Sequence, residues 1–560
     1  MEPKFNPPIF YNKEKVELKS HIINDLELVE SENKPISSYL FSDKPFRKSF
    51  ISHYTTDINF LKDTQQVLKT WTKHKDMERS KANAVFQEIK ADTGFKEKYY
   101  YIDWTMWEFL NKSERFLQLM SMYNLASPLI SLCVPLIILI IPFFIIKMRG
   151  LSINMGDYIV VLKNVLSNHA IGKLFTEFGS VSINEKIYLV VSAGFYLFSI
   201  YQNILVCIRF NDNMEKIHGY LKSVELYLDE TIGSMTNFLS VSDKLGSYSE
   251  FNTTVVTNMK TLIGFKHELA KISEYKMPNY KKVTEIGHLM KCFYDLYQDP
   301  VYNDALEYSF GFAEYLDCLS GIQENLRSGA IHFAQFTSDG KKAVLKNNYY
   351  ATLMSDDIVK KNTISLKKNM TITGPNASGK TTVLKSVLIN VIFSQQFGCG
   401  FYDEGTFVKV YKHIHCYLNI PDTSGRDSLF QAEARRCKEI IDSISENDKE
   451  DHLCVFDELY SGTNPDEAIS SATAFLEYLM KRKSVTLLLT THFTEICKNL
   501  GDNKRLTNYR MMVNQKKNNE LIYLYTMEKG ISGVKGCYSV LKGLNYPTEI
   551  LLNSIRSVKQ

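Results

Sequence analysis

The sequence predicts an α/β domain in its last two-fifths, preceded by an α-helical region that carries one or two transmembrane helices. Three observations predict this. Short apolar runs of strand length alternate with helical patterns after residue 341, as in a sheet buried beneath helices. Two uncharged apolar stretches, residues 126–146 and 187–208, have the length of a bilayer's hydrocarbon core. Between them and the α/β region, apolar residues recur by threes and fours, the period of one helix face.

At 560 residues the chain exceeds one ordinary core, because a domain usually holds about 100–200 residues. The expected divisions are residues 1–120, mainly helical; 121–210, a membrane unit; 211–340, a helical connector; and 341–560, the α/β domain. Hydrophobic residues at 44% and charged residues at 23% lie in the globular range, which excludes extensive disorder. A formal net charge of +4 is close to neutral, so composition does not demand a polyanionic partner. The ten cysteines are scattered without a C-x-x-C pair and read as buried thiols in a reducing compartment. His413, His415 and Cys416 are dense, but no second ligand pair follows at finger-like spacing, so they read as ordinary strand residues. Met1 to Ser20 is polar and charged and lacks an apolar core of the kind a signal peptide needs, so the chain is expected to begin in the cytosol.

The first apolar stretch, Ala126 to Ile146, is bounded by Arg115 and by Lys147 and Arg149. Pro128, Pro135 and Pro142 recur within it, which a membrane span tolerates better than a soluble helix, because neighbouring groups re-satisfy the freed carbonyls. The second, Ile187 to Ile208, is diluted by Gln202 and Asn203 and reads either as a span or as a re-entrant or buried helix. Ahead of them, Tyr54, Ile58, Leu61, Leu68 and Trp71 predict an amphipathic helix continuing toward Lys90. Lys98 to Phe116 is rich in Tyr and Trp, as expected of an interfacial belt. After them, Met214, Ile217, Leu221, Val224, Leu228, Ile232, Met235 and Leu239 draw one apolar stripe along a long helix. More helix follows to about Arg327, forming either an arm or a plain bundle.

The most specific signal is Thr371 to Phe393, TITGPNASGKTTVLKSVLINVIF. Gly374, Pro375, Asn376, Ala377, Ser378, Gly379, Lys380 and Thr381 spell G-x-x-x-x-G-K-T, between a strand-like run and a helical pattern. In that context the glycines let backbone N–H groups wrap phosphates, Lys380 reaches the terminal ones, and Thr381, followed by Thr382, binds Mg²⁺. Downstream, the apolar run Leu453 to Phe456 ends in Asp457 and Glu458. Adjacent carboxylates there suit two tasks: Asp457 holds Mg²⁺ and Glu458 activates the attacking water. A further buried run, Leu487 to Ile496, passes Thr490, Thr491 and His492, and the histidine can touch the γ-phosphate. Together these features predict a P-loop NTPase domain of the ABC class, with ATP and Mg²⁺ as cofactors. If both apolar stretches cross a membrane, the flanks share one side, and ATP requires that side to be the cytosol. Lysines and arginines do not decide the orientation, because the intervening loop is as basic as the flanks.

GPNASGKTT, SGRDSLFQAEARR, VFDELYSGTNPDEA and LLTTHFTEI, in that order, resemble the P-loop, signature, Walker B with D-loop, and histidine switch of the MutS family. Lys529 to Ile555 is similar to the end of its ATPase domains, so the resemblance covers about residues 345–560. It implies a phosphate contact for Asn376 and a role in trans for Ser428, whose hydroxyl would complete the nucleotide site of a second chain. A homodimer or a heterodimer with a paralogue is therefore implied, and so is double-stranded DNA as a partner. Closure around the γ-phosphate also has a physical warrant, since one P-loop face leaves it open to water. The chain departs from the family's repair members, whose N-terminal mismatch-reading domain carries a Phe-x-Glu wedge. Phe95, Lys96 and Glu97 reproduce that pattern only formally, beside the membrane segment.

The expected function is thus a membrane-anchored MutS-like ATPase with its ATPase domain facing the cytosol, acting in mismatch-repair fashion on DNA. The alternative is an ABC-type ATPase acting on the membrane or a membrane partner. The absence of LSGGQ and the small number of spans disfavour transport.

Overall fold

The structure, a computed structural model, describes residues 4–32, 34–41, 50–72, 79–148, 154–167, 182–273, 281–337, 340–355, 359–418, 428–515, 521–534 and 536–551, with 150, 173 and 178–179. The chain divides into two compact units that are discontinuous in sequence. One comprises residues 75–235 and 256–310, the other residues 1–74, 236–255 and 311–560. The expected cuts at 120, 210 and 340 are sequential, whereas these units draw on separated stretches of chain.

The first unit is helical, with α1 (Glu114–Met148) and most of α2 (Ile183–Ser242) in it. The expected stripe is real: Ile217, Leu221, Val224 and Leu228 are buried on one face of α2. The first half of α2 behaves oppositely. Val190, Phe195 and Phe198 are 54%, 70% and 57% exposed. Among the described residues, α2 alone carries a window long and apolar enough to cross a membrane, with a mean hydropathy of 1.6 and 6% burial. The predicted span 126–146 lies on α1, whose helical backbone continues through all three prolines; several of its side chains, those of Pro128 and Pro135 included, lie outside the described residues. Phe95 of the F-x-E pattern is 1% exposed and stacks on Tyr297 at 3.9 Å, so it is a core residue of this unit and no wedge.

The second unit is α/β and is built on a six-stranded sheet. Its strands are β1 (Asn369–Thr373), β2 (His413–Tyr417), β3 (His452–Asp457), β4 (Val485–Thr491), β5 (Leu506–Gln515) and β6 (Leu521–Lys529). They lie in the order β2-β3-β4-β1-β5-β6, parallel except for the β5–β6 pair. β1 and β4 are buried throughout, which explains why they read as continuous apolar runs without alternation. Against the sheet pack α3 (Lys380–Phe397), α4 (Leu429–Glu446) and α5 (Pro465–Met480). Cys437, Ile440 and Ile444 of α4 meet Leu476 and Leu479 of α5 over Phe456 and Leu487.

The N-terminal residues belong to this unit. The predicted helix from Tyr54 toward Lys90 is a strand at its start, His53–Thr55, followed by a helix of this unit, Ile58–Thr70, and one of the helical unit, Arg79–Ala91. Asp57 caps the first helix by accepting from the N–H groups of Asn59 and Phe60, which fixes its start beyond Tyr54. Buried glutamines of α3 hold the strand: Gln395 donates to Thr55 O at 3.0 Å, and Gln396 to Ile51 O at 2.7 Å and His53 O at 3.0 Å. His413, His415 and Cys416 lie on β2.

Candidate functional site

Parallel strands bring their C-terminal ends to one edge, and β3, β4 and β1 are adjacent, so the three chemical motifs meet there. β1 leads into a loop whose Ala377 and Gly379 have left-handed backbones, with φ of +60° and +91°. That curl turns the loop back on itself before α3 begins at Lys380. Gly374 admits no side chain: a Cβ there would lie 2.8 Å from Ser378 Oγ and 2.9 Å from Met511 Cβ.

Lys380 is 5% exposed, and its ammonium donates to Gly374 O at 3.1 Å and Pro375 O at 3.3 Å. It also lies 3.9 Å from Glu458 Oε1 and 3.4 Å from His492 Nε2. Burial lowers its pKa from the ordinary lysine value, against the pull of Glu458 and Asp457. Thr381 Oγ1 donates to Asp457 Oδ2 at 2.8 Å, and the Thr490 hydroxyl donates to the other oxygen, Oδ1. Glu458 has a left-handed backbone, φ +52°, held by its N–H bond to Thr490 O at 3.0 Å. His492 Nε2 stands 2.6 Å from Glu458 Oε1. That hydrogen bond holds the Glu458 carboxyl below its ordinary pKa, opposed by burial and helped by the charges of His492 and Lys380.

A cavity of about 630 Å³ opens over this edge. Its wall takes in Asn376, Ala377, Ser378, Gly379, Lys380, Thr381 and Thr382 with Glu458, and its other side presents Tyr350, Asn362 and Tyr525. Gly374 and Pro375 join the arrangement through the carbonyls that hold Lys380. The structure thus brings together every predicted site residue except Ser428. Ser428 is the N-cap of α4, in a reciprocal capping box with Gln431, and is not part of this cavity's lining. Ser424 to Asp427 of the signature segment lie outside the described residues, as do the last residues of the predicted Lys529–Ile555 stretch.

Sequence reading missed Thr490 and Tyr525. Thr490 pairs with Asp457 across the β3–β4 register, a relation that only the strand order reveals. Tyr525 comes from the far edge strand and closes over Gly379, where a Cβ would stand 3.2 Å from its ring. The residues suit a triphosphate with a hard divalent cation. Ser378 Oγ is buried without a hydrogen-bond partner among the described residues, the loop is closed to added side chains, and Thr381 with Asp457 forms an all-oxygen donor set.

Fold and site together define a P-loop ATPase-type domain. Residues 370–560 match the family model described as MutS domain V. The endonuclease MutS2 of Clostridium novyi is 26% identical over 269 residues, 46% of this chain and 30% of that protein. That of Thermotoga neapolitana is 30% identical over 198 residues, 35% and 25% of the two chains, and that of Staphylococcus haemolyticus 30% over 158 residues, 28% and 20%. Residues 370–560 are thus similar to domain V of the MutS family, and the rest of the chain lies outside that match. The matched region spans 30% or less of the length of these relatives.

Proposed function

We propose that the chain binds and hydrolyses ATP at a site completed by a second chain, and that the helical unit holds this ATPase on a membrane with the site facing the cytosol. One observation carries the reading: the Lys380 ammonium, the Thr381–Asp457 pair and the Glu458 carboxylate converge on one cavity edge. Lys380 leaves its two carbonyls for the terminal phosphates, and the loop N–H groups of residues 376–380 take the remaining oxygens. Thr381 and Asp457 are the residues to hold Mg²⁺, which supplies neutralisation of phosphate charge when bound. Glu458 takes the proton of the attacking water, and His492 keeps that carboxylate ionised and aimed. Ser428 faces the nucleotide of the partner, in a homodimer or a pair with a paralogue.

Similarity to endonucleases supports double-stranded DNA as the substrate on which closure acts. The exposed apolar half of α2 supports the second reading, in which the membrane or a membrane partner takes the place of DNA. Salt-dependent binding to duplexes, measured beside binding to vesicles, separates the two. The composite site is tested by mixing Lys380→Ala chains with Ser428→Arg chains. Each is expected to be inactive alone, and the mixture to regain hydrolysis from the one intact pairing. A mixture as inactive as its components refutes the shared site.

A further inference from the structure

Glu433 belongs to the signature segment but reaches none of the nucleotide-cavity wall, and it is 2% exposed. Three donors of one loop meet its carboxylate. One oxygen accepts from both the N–H and the hydroxyl of Ser461 at 3.1 Å, and the other accepts from the Gly462 N–H at 3.2 Å. Ser461 and Gly462 follow Glu458 by three and four residues, in a stretch where Glu458 and Tyr460 both have left-handed backbones, φ +52° and +58°. Neither residue is glycine, so the conformation persists only where surrounding contacts enforce it.

The same loop interlocks with the start of α4. Gly462 lies so close that a Cβ would stand 2.8 Å from Leu429 Cγ, and Tyr460 packs on Phe430 with ring centroids 5.7 Å apart. Leu429, Phe430 and Glu433 therefore grip the loop from the first turns of the helix that Ser428 caps. A close-packed contact of this kind transmits displacement and does not absorb it.

We infer that Glu433 is a positioning residue for hydrolysis: it fixes the Glu458 loop to the helix headed by Ser428, so that engagement of Ser428 by a second chain sets the aim of the base. A buried carboxylate is suited to this because three donors converge on it, and charge-assisted bonds hold geometry more firmly than neutral ones. In Glu433→Gln, one amide N–H group would face a loop donor and the pairing would fail.

The inference rests on the reading of Glu458 as base and Ser428 as a group acting in trans. The test compares full-length wild type, Glu433→Gln and Ser461→Ala in steady-state hydrolysis, in titration with a fluorescent ATP analogue, and in thermal unfolding. Glu433→Gln is expected to lose about tenfold or more in kcat with KM for ATP within about threefold, and Ser461→Ala about two- to fivefold. Combining Glu433→Gln with Ser428→Ala should cost less than the product of the single losses, because both act through one contact. Unchanged kcat in Ser461→Ala and Glu433→Gln beside an active wild type overturns the coupling, and so does a parallel loss of kcat, nucleotide affinity and melting temperature. If Glu433→Gln does not fold, Ser461→Ala decides alone by the same criteria. Wild type that binds no ATP marks failure of the parent reading, visible before any variant is compared.

Discussion

Leu487, Leu488 and Leu489 on β4 are 1% exposed or less, while the equally apolar Val190, Phe195 and Phe198 on α2 are more than half exposed. In the α/β unit, apolar sequence is covered on both faces by helices and neighbouring strands. In the first half of α2 most of it has no protein cover among the described residues, Leu189 being buried, while the second half of the same helix buries its stripe. Apolar composition therefore specifies burial in something, and the three-dimensional neighbours decide whether that something is protein. The nucleotide-site residues all lie in the α/β unit, in separation from the exposed apolar half of α2.

The sharpest way to break that separation is Glu458→Gln. Loss of the carboxylate proposed as the base should lower kcat by about 10²- to 10⁴-fold while ATP binding and membrane association stay unchanged. Co-sedimentation and hydrolysis measured on one preparation check it. Next in size is the reverse experiment, Val190→Lys with Phe198→Lys. Each lysine at the centre of a span costs about 2.5–3.5 kcal/mol of insertion, so most of the protein should become extractable by alkaline carbonate, with hydrolysis retained. Extraction equal to wild type would remove α2 from the membrane.

A smaller effect is expected inside the α/β unit from Gln395→Ala. It leaves the carbonyls of Thr55 and Tyr411 without their donor and the Tyr411 N–H without its acceptor. Unsatisfied buried groups of this kind cost about 1–3 kcal/mol, read as a lower midpoint in urea unfolding. Smallest is the pH effect of His492→Ala. The His492 hydrogen bond holds Glu458 below the ordinary carboxylate pKa, so the ionised base persists as pH falls through the usual carboxylate range. Without His492 the pKa rises, and the acidic limb of the kcat profile should move to higher pH. A limb that stays in place would show that His492 does not sustain the base.

The local motifs were legible in the sequence because their chemistry is written in consecutive residues. G-x-x-x-x-G-K-T calls for a left-handed glycine, a lysine and a hydroxyl in fixed order, and in the structure Gly379 has that backbone, Lys380 turns onto the loop carbonyls and Thr381 meets Asp457. The Asp457–Glu458 pair was legible for the same reason, as the end of a strand apolar enough to be buried on both faces. The helix expected to run from Tyr54 toward Lys90 misread a strand, because its apolar spacing fits a helix, while Tyr54 is held by a bond from its hydroxyl to Lys412 O, far away in sequence. Phe95 shows the converse: a short motif formally present whose aromatic ring is used up in a core.

The sequence by itself determined the P-loop, the paired carboxylates, the histidine after the fourth strand and the two apolar stretches, because each depends on residue type at short spacing. Only the tertiary structure decided that residues 1–74 join the α/β unit, that Thr490 steadies Asp457, that Tyr525 closes over Gly379 and that Glu433 binds the loop behind Glu458. The physical reason is that those relations are set by strand order and by buried polar groups seeking partners, and the partners lie tens to hundreds of residues away along the chain.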